Sequence, residues 1–428
     1  MADFDAIVVG AGCAGTVAAY ELAKAGKSVL MVERGTQAGA KNMTGGRIYS
    51  HAIKAVFPDF ELEAPLERKI THEKISMIDP AANFTIDFSS DLMREEGKDS
   101  YSVLRAEFDP WLASKAEDAG AEAIYGIAVE SLLKENGKVV GIKAGEDEIT
   151  ADLVILCDGV NSLLTKEAVG AKRPEPSKLA VGIKQVIELD EKTVSDRCNT
   201  IGDEGVAWLF AGDSTHGHIG GGFLYTNKSS ISLGLVATIS DLYTSDTPVY
   251  QMLEDFKKHP SVAPLIAGGK VVEHSGHMVP EGGFNMMPEL INDGVMLAGE
   301  SAMMCINLGY MVRGMDYSMS AGMYAGREGA KALDRGDTSK ASLQSYVDAL
   351  ENSYVLKDLR QFSKFPHFME STKRIFSEYP ALVKKIMNGM FIVDGSPIKP
   401  MKQTVLPPLK EVGFMNLLKD VRGGMKAL

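Results

Sequence analysis

The sequence predicts an α/β fold: a Rossmann-type dinucleotide-binding domain interrupted by a lobe of mixed and antiparallel β-sheet, with a helical C-terminal region. Three observations carry this. The apolar run Ala6–Val9 leads straight into Gly10-Ala-Gly12-Cys13-Ala14-Gly15, and a stretch with helical spacing follows. Two later apolar runs end on Asp158-Gly159 and on Gly299-Glu300, which reads as the chain returning to the same sheet. Between these returns, residues 175–290 alternate apolar and polar side chains among glycine turns, the pattern of half-buried strands.

In the opening unit Gly10 permits the tight turn, Gly12 lets the backbone approach a pyrophosphate, and Gly15 lets helix and strand pack closely. The helix N-terminus presents unpaired N–H groups and a partial positive charge to phosphates. Val29–Val32 is a second strand, and Glu33 at its end suits a ribose hydroxyl while repelling a 2′-phosphate. This complete strand–turn–helix–strand context marks a dinucleotide site. The Gly-rich polar run 35–50 is expected to line it, and residues 70–105 suggest short strands. Arg105–Ala116 has helical spacing, with an N-cap between Arg105 and Asp109 and Pro110 early in the helix. Glu135-Asn136-Gly137-Lys138 is a hairpin signal, and Gly314–Asp334 reads as a long helix. The expected division is 1–75, 111–175 and 291–335 for the dinucleotide domain, 76–110 and 176–290 for the second, β-rich lobe, and 336–428 for the helical region.

With 428 residues and a net charge of −12, the chain is long enough for several packed lobes and the wrong sign for nucleic acid. No basic segment with an apolar core precedes the first strand, so a cytoplasmic location is expected. The four cysteines, at 13, 157, 198 and 305, are too scattered for a locally encoded iron–sulfur or zinc site, and no metal is expected on this chain. Gly294–Val312 carries only Glu300 as a charge, yet its Gly and Asn residues read as strand, turn and helix start rather than a membrane span. From Lys364 the chain turns basic, with 11 Lys/Arg against 5 Asp/Glu, and Phe365, Phe368, Met369, Ile375, Phe376, Met387, Met390 and Phe391 lie among the charges. Either these helices pack on the body, or they form a docking face for an acidic partner or a membrane surface.

A dinucleotide domain interrupted by another lobe and resumed with a second Gly–acid strand end is the organisation of FAD enzymes. No second GxGxxG follows a strand, so nothing announces a separate nicotinamide site. Several stretches together resemble the FixC-type proteins and the related electron transfer flavoprotein–quinone oxidoreductases over essentially the whole chain. They are Gly39–Tyr49, Tyr101–Asp109, Cys157–Ser162, Gly220–Tyr225, Gln251–Pro260, Ala263–Lys270, Pro280–Phe284 and the motif at Gly299. The resemblance implies a glutathione reductase-like FAD domain. It also implies an oxidoreductase that takes electrons from the α and β subunits of an electron transfer flavoprotein and passes them to a quinone. The fused cluster of the quinone oxidoreductases needs four cysteines in a C-terminal extension, and none follows Cys305 here. The chain is therefore similar to the FixC type, whose iron–sulfur cluster sits on a separate ferredoxin-like (FixX-type) subunit, with peripheral contact at the inner face of the cell membrane. The alternative is a flavin-dependent reductase of a hydrophobic substrate, geranylgeranyl reductase-like.

The resemblance also assigns roles. Gly10, Gly12, Ala14 and Gly15 take the FAD pyrophosphate; Glu33, Arg34 and Val129 take its adenosine side. Arg105 meets phosphate or ribitol oxygens, or else pairs with Glu107 or Asp109. Asp158 and Gly159 hold a strand-end turn or touch cofactor, and Gly299 with Glu300 reaches a ribose or ribitol hydroxyl. Thr44, Gly45, Gly46, Arg47 and Asn307 match positions beside the flavin ring, with Arg47 and Asn307 the flavin-adjacent candidates; no catalytic residue beyond the flavin is implied. Gly220 and Gly221 match paired glycines at the quinone head-group, the competing reading being a β-bulge or tight strand packing.

Overall fold

The computed structural model describes residues 2–40 and 46–428. In chain order the strands are β1 (Phe4–Val9), β2 (Val29–Glu33), β3 (Arg47–Tyr49), β4 (Leu66–Asp79), β5 (Ala82–Ser89) and β6 (Ser100–Val103). Next come β7 (Glu122–Tyr125), β8 (Ser131–Glu135), β9 (Lys138–Ala144), β10 (Asp147–Leu156), β11 (Leu179–Glu188), β12 (Glu204–Gly212), β13 (Gly220–Thr226) and β14 (Ser230–Thr238). The last are β15 (Lys270–Pro280), β16 (Ile291–Asn292), β17 (Val295–Leu297), β18 (Ile306–Asn307) and β19 (Val312–Arg313).

The first sheet runs β16-β17-β10-β1-β2-β7, parallel from β17 to β7, with β8 and β9 appended to β10. Ala6–Val9 and Leu153–Leu156 are buried on both faces, which explains why they read as continuous apolar runs. The helices Cys13–Lys24 and Met315–Asp334 pack together against this sheet. Small residues allow the approach: a Cβ at Gly322 would lie 2.1 Å from the Ala14 carbonyl oxygen. The hairpin β8–β9 turns at Asn136 (φ 50) and Gly137 (φ 89), the positive dihedrals that an Asn-Gly turn supplies.

The second sheet runs β15-β11-β14-β13-β12-β4-β6-β3, with β5 on the edge of β4; it is antiparallel except for β12 against β4. Its strands begin at Arg47, well ahead of residue 76, where the second lobe was expected to open. The reason is the composition of β4: Leu-Glu-Arg-Lys-Ile-Thr-His-Glu-Lys is too charged to show a strand period. Its polar side chains are half-buried by neighbours that only the folded chain supplies. Arg68 is an example, at 1% exposed. Its guanidinium donates to the carbonyls of Asn227 (2.7 Å), Lys228 (3.0 Å), Glu204 (3.1 Å) and Glu191 (3.2 Å), which ties β4 to the β13–β14 turn, the start of β12 and the helix Glu191–Cys198.

The helix Arg105–Asp118 starts at an N-cap on Leu104, and Pro110 lies inside it rather than in its first turn. After Lys340 the chain is helical to Ala427 with short connections. Ion pairs clamp this region to the body through Lys373–Asp241, Lys384–Asp79 and Lys178–Glu370. Among the described residues, no helix is long and apolar enough to cross a membrane.

Candidate functional site: a cavity between the two sheets

The carboxyl ends of β1, β10 and β17 meet one face of the second sheet across a cavity of about 500 Å³. This is where an open parallel sheet binds ligands, because its strand ends and helix N-termini converge there. Gly12, Cys13 and Ala14 line it at the start of their helix, and no side chain caps that helix. The first-turn N–H groups thus face the cavity as an anion cradle. Gly10 has φ +101, and a Cβ at Gly15 would lie 1.9 Å from the Gly10 carbonyl oxygen, so the turn closes only with glycine at both positions.

Glu33 accepts hydrogen bonds from Ala11 N–H (2.9 Å) and Gly35 N–H (2.6 Å), which binds the two loops into one rim. Arg34 is exposed beside it, and Val129 sits just past Ile127, whose N–H donates to the Glu33 carbonyl (3.1 Å). Asp158 is held by Ser162, but its Oδ1 is buried with no hydrogen-bond partner among the described residues. Burial pushes its pKa up to about 6 against the pull of Ser162 and Arg34. An orphaned acceptor at a strand end beside a phosphate cradle fits a ligand hydroxyl.

Arg105 does not pair at the surface. It is buried and forks onto Asp109 at 2.6 and 2.7 Å, with its side chain also lining the cavity. Glu300 lines the cavity with His277 3.6 Å away, which links the third strand end to the second sheet. Gly299 packs behind it against Ala14, and Gly159 lines the wall. Gly46 lies over the Tyr225 ring, and Arg47 pairs with Glu73 (2.5 Å) and donates to Ser100 (3.0 Å). Thr44 and Gly45 lie outside the described residues. Burial pushes the Cys13 thiol up to about 12 and holds Cys157 and Cys305 well above the ordinary thiol range, so all three line the cavity as neutral groups. Among the described residues, no group of three or more His, Cys, Asp or Glu is placed to hold a metal ion.

Opposite the cradle, Gly220 and Gly221 line the cavity from β13. Their lack of side chains is also demanded by the sheet. A Cβ would lie 2.0 Å from the Val236 carbonyl oxygen at Gly220 and 2.6 Å from that of Phe210 at Gly221.

Comparison with known proteins decides what this arrangement belongs to. Residues 3–219 match a family model described as an FAD binding domain, and residues 365–428 match the ETF-QO/FixC family C-terminal domain. The chain is 49% identical over 425 residues, 99% of both chains, to a probable electron transfer flavoprotein-quinone oxidoreductase, YdiS, of Escherichia coli K12. It is 49% identical over the same share to Protein FixC of Salmonella typhi. The chain belongs to the FixC/electron transfer flavoprotein–quinone oxidoreductase family. It is an FAD-binding oxidoreductase with a role in electron transfer.

The fold is shared more widely. A geranylgeranyl bacteriochlorophyll reductase-like protein of Thermoplasma acidophilum superimposes with a TM-score of 0.70 at 18% identity, over 98% of this chain and 99% of that one. A flavin-dependent brominase, Bmp2, gives 0.64 at 16% over 96% and 99%.

Sequence reasoning gave no role to several residues of this FixC-family cavity. Glu281 and Thr238 line it, hydrogen-bonded to each other at 2.9 Å. Phe223 and Tyr225 extend the glycine strand as cavity wall, and the C-terminal residues Phe365, Phe368, Met369 and Phe376 close the far side. The aromatic run after Lys364 was the available signal for the latter: a part of it faces inward.

Proposed function

We propose that this chain accepts electrons from an electron transfer flavoprotein and passes them to a quinone that enters the cavity beside Gly220 and Gly221. One observation supports this most directly. A single cavity joins the cradle at Gly12 and the strand end at Glu300 to an apolar wall of Phe223, Phe365, Met369 and Phe376. A flat, largely apolar acceptor can therefore approach the redox centre from the side opposite the phosphates.

FAD, when bound, supplies the electron-transfer chemistry. Gly12, Cys13 and Ala14 hold its pyrophosphate by backbone N–H groups, Glu33 and Val129 flank its adenosine, and Asp158, Glu300 and Arg105 reach hydroxyl and phosphate oxygens. Gly46, Arg47 and Asn307 border the ring. Arg47 and the Asn307 amide place positive potential there, which favours negative charge developing on reduction.

The C-terminal face is read as the contact with a ferredoxin-like subunit carrying the iron–sulfur cluster, resting against the inner face of the cell membrane. Its exposed apolar residues include Phe391, Val393, Ile398, Phe414 and Met425, with Lys399, Lys402, Lys410, Lys419 and Lys426 among them. The same reading divides the chain into an FAD lobe, a quinone lobe that takes in the strands from Arg47 on, and a docking region.

The test is purification of the native complex with cofactor analysis of every subunit. The expected result is FAD on this chain and iron on a separate small subunit. Stoichiometric iron on this polypeptide would overturn the reading.

A further inference from the structure

Glu281 follows the end of β15, and nothing above uses it. Its N–H donates to the Lys178 carbonyl at 2.8 Å, which fixes the backbone. Its carboxyl then reaches two cavity residues: Thr238 Oγ1 donates to Oε2 at 2.9 Å, and Asn307 Nδ2 faces Oε1 at 3.4 Å. Asn307 is oriented by the Gly309 N–H, which donates to its Oδ1 at 2.9 Å and leaves the amide nitrogen for Glu281. Thr238 lies on β14, next to the glycine strand, and its N–H donates to the Ile219 carbonyl at 2.9 Å. The carboxyl thus stands between the ring-side amide and the strand that carries Gly220 and Gly221.

A way out to solvent exists on the same side. Glu370, in the helix Phe365–Ser371, lines the cavity and pairs with Lys178 at 2.5 Å, and both side chains are about a third exposed. Among the described residues, Glu370, itself paired with Lys178, and the Cys305 thiol are ionisable groups near Glu281. Burial, with the Glu370 charge added, raises the Glu281 pKa against the hydrogen bonds from Thr238 and Asn307. The carboxyl can therefore hold a proton where an ordinary glutamate would not.

We infer that Glu281 hands protons to the quinone and is reprotonated from solvent past Glu370. The inference rests on the quinone reading above. Quinone reduction takes two electrons, supplied through the redox centre, and two protons. In each transfer the Glu281 O–H bond breaks as a quinol O–H bond forms, and the resulting carboxylate takes its next proton from water at the Glu370–Lys178 mouth. Thr238 and Asn307 position the carboxyl. A purely structural Glu281 would serve as well with a glutamine, which keeps the hydrogen-bonding shape but cannot give up an acid proton.

The experiment compares wild type, Glu281→Gln, Glu281→Asp and Thr238→Val with equal flavin content. Glu281→Gln is expected to slow reoxidation by a short-chain quinone about tenfold or more. It also removes the fall in rate that wild type shows as pH rises through the Glu281 pKa. Glu281→Asp restores part of the rate, and Thr238→Val slows it too. Reoxidation by ferricenium, which takes no proton, is slowed far less. Infrared titration of the apoprotein, independent of flavin turnover, is expected to show a carboxylic acid C=O band that Glu281→Gln lacks. Equal quinone rates and pH profiles in wild type and Glu281→Gln, or equal slowing with ferricenium, overturn the proton role alone. A wild type that never reduces quinone overturns the acceptor reading and this inference with it.

Discussion

Asp158 shows how far one side chain depends on the ligand around it. Burial raises its pKa from 3.8 to about 6, so the folded apoprotein binds that proton more tightly than the unfolded chain. The associated stability is complete below the ordinary carboxylate pKa and is lost as pH rises through about 6. Asp158→Asn is therefore expected to stabilise the apoprotein at neutral pH by about 3 kcal/mol and to make no difference in acid. Urea unfolding at the two pH values measures this. At the phosphate cradle, Gly12→Val is expected to yield protein without flavin, read as flavin absorbance per polypeptide, because its side chain would fill the space next to the helix N-terminus. Glu33→Ala is milder, weakening FAD by about 1–3 kcal/mol in equilibrium titration. These positions were legible in the sequence because each is marked by local backbone chemistry: a turn, a helix start, a strand end. Glu281 was not. Its partners Thr238 and Asn307 lie 43 and 26 residues away in sequence, and only the packing of β14 and β18 against the end of β15 brings them together.

Among the elements, the β1–helix–β2 unit and the β8–β9 hairpin could be read directly, since their apolar runs and turn residues are contiguous. The strand β4 could not, because its charged residues are satisfied by distant partners. Arg68 is the clearest of these, and Arg68→Met is expected to destabilise the protein by on the order of 3 kcal/mol by leaving several buried carbonyls unpaired. Thermal unfolding with and without FAD measures the loss in the second lobe. The paired glycines on β13 carry a similar lesson. Gly220 and Gly221 line the cavity, and they sit against neighbouring carbonyls too closely for any Cβ, so tight strand packing by itself calls for glycine at both positions. The helix pair behind the cradle obeys the same geometry. Gly322→Val would force the Met315–Asp334 helix away from Ala14 and the helix N-terminus proposed to hold the phosphates. FAD affinity is expected to fall at least about tenfold, by about 1.4 kcal/mol or more, even where the variant folds. Flavin retention on dilution reads this out.

At the scale of the molecule, a chain with a net charge of −12 overall carries a basic, apolar C-terminal region on an acidic body. Part of that basic charge is used internally, in Lys373–Asp241 and Lys384–Asp79, while Val393 (83% exposed) and Ile398 (92% exposed) remain outside. The packing half of the sequence's alternative is met by Phe365 and Phe376, which are turned in, while Phe391 is turned out and leaves the proposed docking face its apolar surface. The claim that joins all three scales is that electrons leave through the glycine-strand side of the cavity to a quinone. Stopped-flow absorbance of the flavin tests it most directly. The protein is reduced through its partner flavoprotein and mixed with a short-chain quinone; separately, the oxidised protein is mixed with NADPH. The account predicts that quinone restores the oxidised flavin spectrum on the timescale of turnover and that NADPH alone leaves that spectrum unchanged. Rapid bleaching by NADPH with no reoxidation by quinone would contradict it.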